Sequence, residues 1–144
     1  MLVDALLQFS DAQAVTAAAG STNTIDSSVA RDLGTGEDLY IVVSVQTALT
    51  DGGSNTGTTV ALEGDSTDSF SPDATEDLFT FDQAAAAGTV KIKKLSPGMA
   101  PLAYRYLRLK YTPAGANLTG GKFDAFITMN IDKYVAYADN VTIS

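Results

Sequence analysis

Apolar residues in this chain recur at every second position over most of its length, the period of a half-buried strand rather than of a helix. Residues 103–112 (AYRYLRLKYT) put Leu107, Leu109 and Tyr111 on one face and Tyr104, Tyr106, Arg108 and Lys110 on the other. Residues 122–131 alternate in the same way. Phe123, Ala125, Ile127, Met129 and Ile131 oppose Asp124, Thr128 and Asn130, with Phe126 an apolar exception on the exposed face. Residues 58–63 bring Val60 and Leu62 together. Residues 39–47 (LYIVVSVQT) are partly apolar on both faces, which predicts an interior strand covered on two sides. Residues 76–81 and 89–93 predict two shorter strands, and 5–9, 13–17 and 24–28 three more near the start.

The punctuation between these runs is Gly, Asp, Asn and Pro, which favour turns. The segment TALTDGGSNTGT between 47 and 58 predicts a long exposed hairpin, and 65–77 an acidic Ser/Thr/Asp loop. Residues 82–88 allow at most a turn or two of helix closed by Gly88. Pro97-Gly98 predicts a tight turn and 113–121 a glycine-bearing loop. No repeat of fixed period and no linker divides the chain. The pattern therefore predicts an all-β protein of about eight strands, a sandwich or jelly roll. A tail, 132–144, is expected to pack on the sandwich or on a neighbouring subunit.

Composition narrows the chemistry. With 144 residues, 45% of them hydrophobic, the chain can build a core without staples. It has no Cys and no His, which removes disulfides, thiolate nucleophiles and any Ser-His-Asp arrangement. Absent Trp weakens sugar stacking. Residues 1–90 hold 14 acids against Arg31 alone, whereas 91–144 hold 3 acids against 8 bases. The net charge of −8 opposes non-specific nucleic-acid binding. The opening Met-Leu-Val-Asp lacks a basic leader and no long apolar run follows, so neither a signal peptide nor a membrane span is expected.

Asp65, Asp68, Asp73, Glu76 and Asp77 offer oxygen ligands of the kind calcium takes, but off the EF-hand spacing; a solvated loop is the better reading. Gly34-Thr35-Gly36 lacks the third glycine of a dinucleotide loop and precedes a strand, so it reads as a plain turn. Seventeen acids make a glycosidase-like carboxylate pair easy to imagine and impossible to identify. No enzyme activity and no cofactor is expected.

The alternating tyrosines and arginines point instead to a surface that binds protein, since Tyr and Arg are enriched at interfaces. Tyr104, Arg105, Tyr106, Arg108 and Lys110, with Phe126 and the tail residues Tyr134 and Tyr137, are the candidate interface residues. The plainer alternative is a face covered by the chain's own second layer or tail.

Several segments resemble one family. Residues 30–43 (ARDLGTGEDLYIVV) are similar to a segment of the capsid cement proteins of podovirus-like tailed phages, the type described for a Bordetella phage. So are the opening MLVDALLQFS with QAVT and STN after it, LSPG at 95–98, RYLRLKY at 105–111 and Gly121-Lys122. The likeness runs from residue 1 to about 131; its motifs are short, and their order and coverage carry it.

The resemblance selects a jelly-roll-like antiparallel β-sandwich over 1–131, and implies that it binds the major capsid protein on the outer surface of the virion and stabilises contacts between its subunits. It also implies a homo-oligomer, a dimer before a trimer, made in the host bacterial cytoplasm, with no catalytic residues. The charge split then leads us to expect Lys91, Lys93, Lys94, Arg105, Arg108 and Lys110 to face acidic capsid patches and the acidic loops to face solvent. The rival reading is a carbohydrate-binding jelly-roll module of a phage tail or adhesin, with the tyrosines and Phe126 as its only candidate stacking residues.

Overall fold

The computed structural model describes residues 7–26, 39–96 and 98–128. Two antiparallel sheets pack face to face. The first runs β1 (Gln8–Ala14), β9 (Leu118–Thr128), β4 (Tyr40–Asp51), β7 (Val90–Lys94). In the second, β2 (Ala19–Gly20) and β3 (Ile25–Asp26) lie along the same edge of β8 (Tyr106–Ala114), followed by β5 (Gly57–Asp65) and β6 (Ala74–Phe81). β2 and β3 are thus two pieces of one interrupted edge strand, which leaves eight strand positions. Among the described strands, apart from the step between those pieces, only the β5–β6 connection stays within a sheet. This alternation between sheets is a jelly-roll path, the one that the resemblance implies.

The core lies between the sheets. Leu107, Leu109 and Tyr111 of β8 and Phe123, Ala125 and Ile127 of β9 are all buried, on the faces that the alternation assigns to them. Phe81 meets Phe123 edge to face at 5.4 Å between centroids, and Phe123 stacks on Tyr111 at 4.8 Å. Tyr111 also ties the layers by a hydrogen bond: its hydroxyl lies 2.7 Å from Ser10 Oγ of β1, which donates to Gln13 Oε1 at 2.6 Å. Interior β4 buries Ile41, Val42 and Val43 in succession, so both of its faces are covered as predicted.

Four expectations need correction. The 47–58 segment is no hairpin: β4 pairs with β7 and β9, β5 with β6 and β8, and the segment crosses between sheets. β4 runs on to Asp51 because bulges keep it paired with β9, and Asp51 Oδ2 then accepts the N–H groups of Gly53 and Asn55 to turn the chain. Phe126 is not exposed. It is 5% accessible, in a cross-strand row between Gln8 and Val42 on an interior strand.

The two predicted strands at 5–9 and 13–17 are replaced by the single β1, bulged where Ala12 takes a φ of 50° and donates its N–H to Asp124. The strand predicted from 103 begins only at Tyr106, because Ala100–Ala103, with Pro101 in it, forms a turn of 3-10 helix.

The strands also define two ends. At the Asn55 end, the connections 15–18, 52–56, 82–89 and 115–117 meet one another. Leu118 N–H donates to Thr16 O, Asn55 Nδ2 to Ala116 O and Leu49 N–H to Ala85 O. At the other end stand the connections 66–73 and 95–105, with the start of β1, the end of β3, the start of β4 and the end of β9.

Candidate functional site

The candidate interface residues divide between the two sheets. Tyr106, Arg108 and Lys110 alternate along the outer face of β8, opposite the buried Leu107, Leu109 and Tyr111, and Tyr104 and Arg105 precede them in the turn into the strand. Phe126 lies in the other sheet and does not join this group. Tyr134 and Tyr137 lie outside the described residues.

The cations are tightly held. Arg105 makes a bidentate pair with Asp26 of β3, Nε to Oδ1 and Nη2 to Oδ2 both 3.0 Å, and its guanidinium lies 4.8 Å from the Tyr106 ring. The hydrogen bond to Asp26 holds Arg105 even more firmly protonated than usual. Arg108 Nε donates to Glu63 Oε1 at 2.6 Å across the β5–β8 pair, and its guanidinium lies 4.4 Å from the Phe70 ring. Phe70, which the alternation of the chain does not single out, carries a backbone φ of 48°. A bulky residue held in the left-handed region is strained, and such positions cluster at clamps and binding loops.

The loop that carries Phe70 is stapled by its own carboxylates. Asp65 Oδ1 accepts the Thr67 N–H at 2.9 Å, and this bond holds the Asp65 carboxyl below its ordinary range against the opposing effect of burial. Asp73 Oδ2 accepts the N–H and hydroxyl of Ser66, both 3.1 Å, while Asp73 N–H donates to Gly64 O. Among the described residues no group of three acidic side chains could hold a metal ion. Of the carboxylates considered for calcium, Asp65 and Asp73 shape this loop, while Glu76 and Asp77 lie in β6.

The other bases sit elsewhere. Lys91 and Lys93 of the edge strand β7 pair with the core-facing Val43 and Ile41, so both turn inward. Lys91 Nζ lies 5.6 Å from the centre of the Phe81 ring. Inward lysines on an edge strand discourage pairing with another chain. The six bases therefore do not form one basic face.

A sandwich with a Tyr/Arg face says how the chain is built, and comparison with known families says where it belongs. A family model, Bbp16, matches residues 9–127. The chain belongs to the Bbp16 family. Bbp16 is the capsid cement protein of Bordetella phage BPP-1, so membership makes this chain a phage capsid cement protein and places it in the virion capsid. The match covers the whole sandwich from β1 to the end of β9, the part that the resemblance to cement proteins also spans. The family is a structural one. No curated protein matches the chain.

Proposed function

We propose that the chain binds the exterior of an assembled phage head and bridges neighbouring major capsid protein subunits, as a homodimer. The family match over residues 9–127 carries this reading. A protein that binds the assembled lattice but not its separated subunits stabilises the lattice by mass action, by RT ln(1 + [L]/Kd) per site. Two identical halves that grip adjacent subunits raise the effective concentration of the second contact, so modest single contacts hold strongly together. Two-fold pairing is the commonest closed symmetry for such a chain. The fold suits a clamp, because a doubly layered core gives a rigid body, and the inward lysines of β7 keep that edge from adding strands.

Purified protein mixed with expanded shells that lack it should sediment with them to saturation, while separated capsid subunits stay unbound. Its own mass by light scattering should be that of two chains. Equal binding to shells and free subunits would contradict the bridging role. Glycan binding without affinity for shells would favour a carbohydrate-binding module.

A further inference from the structure

The two ends of the sandwich differ in chemistry. The Asn55-end connections read VTAA, GGSNT, DQAAAAGT and GAN, with Asp82 their one charge and no aromatic or Arg among them. Several of their main-chain groups are tied back to the neighbouring strands β4, β8 and β9, and Asn55 Nδ2 donates to Ala116 O between two of the connections. Ser and Ala are depleted at protein interfaces, whereas aromatics, Met and Arg are enriched. The opposite end presents Phe70 and Tyr104, both partly exposed, and the exposed Arg105 in its two connections, while Met99 and Leu102 there belong to the core packing.

Within that end one residue is prepared in advance. Phe70 sits partly exposed in the 66–73 loop, in a backbone conformation that costs energy. Its ring rests on Arg108, which Glu63 fixes from below, and the loop is closed by Asp65 and Asp73. An aromatic ring backed by a fixed guanidinium, on a loop whose shape is set before binding, is the form of an interface anchor.

We propose that the Phe70 end seats on the capsid shell, with Phe70 as the anchor that enters an apolar recess of the major capsid protein, and that the Asn55 end faces solvent. This rests on the cement reading above.

The test is titration of fluorescently labelled protein onto expanded shells that lack it. Phe70→Ala should weaken binding on the order of tenfold, the loss of one anchor ring. Phe70→Tyr should bind nearly as the unaltered chain does, and Ala87→Arg at the Asn55 end should be indistinguishable from it. Should Phe70→Ala fail to fold by circular dichroism, Ser69→Arg decides instead; it enlarges the same loop tip with the ring in place and should also weaken binding. Unchanged binding by the folded Phe70 or Ser69 variant, or loss of binding by Ala87→Arg alone, overturns the choice of end. If the unaltered chain does not bind shells at all, the cement reading itself falls.

Discussion

Arg108 is held by Glu63 and by Phe70, and Gly20 leaves room for its guanidinium, since a Cβ there would stand 2.9 Å from Nη1. Arg108→Met should therefore destabilise the fold by about 2 kcal/mol, the loss of a charge-assisted hydrogen bond that leaves a buried carboxylate behind. Glu63→Gln in that background should restore part of it, as read by urea unfolding. Any loss of decoration in an Arg108 variant has to be weighed against that cost.

Tyr111 is the other residue with large leverage. Tyr111→Phe should cost about 1–2 kcal/mol, because Ser10 loses its partner across the layers. Burial also pushes the Tyr111 phenol above its ordinary value of 10.0, with the Ser10 bond pulling the other way. The unfolded chain then ionises where the folded chain does not. Stability is full below about pH 10 and falls as pH rises past it. Tyr111→Phe should flatten that alkaline decline in denaturant midpoints measured from about pH 8 to 11.

At the scale of elements, edges and close approaches set the limits. Val in place of Lys91 and Lys93 should leave the fold intact but raise light scattering at high concentration, since β7 would lose the inward charges that blunt its edge. Gly64→Ala should cost roughly 1–3 kcal/mol, because the new Cβ would run into the Pro101 carbonyl and push the 95–105 connection off β5.

The alternation of β8 is legible because one face is buried and the other is not, whereas β5, nearly all of it buried, is marked only by Val60 and Leu62 on one face. β2 was not legible: two residues carry no period, and only their pairing with β8 makes them a strand. The hairpin expectation failed because turn residues mark where a chain turns, not which sheet it enters. Gly120 and Gly121 looked like loop for a similar reason. Gly121, at φ +138°, lies in a bulged stretch of β9 where a side chain would strike Leu49, and its neighbours stay in the ladder. The outward placement of Tyr106, Arg108 and Lys110 on β8 could be read from alternation alone. Phe70 could not, since nothing in STDSFSPD announces a left-handed backbone or a partner 38 residues away on another strand.

At the scale of the molecule, the jelly roll gathers unlike loops at its two ends from a single alternating chain path. That separation gives a cement protein a side for the shell and a side for solvent. Its effect on the shell is a matter of mass action, so it should grow with concentration and saturate with occupancy. The most direct measurement is calorimetry of expanded shells lacking this protein, titrated with it. A cement role predicts that the shell-disruption transition moves upward with added protein and stops moving when the sites are full. Saturable binding that leaves the transition where it was would contradict it.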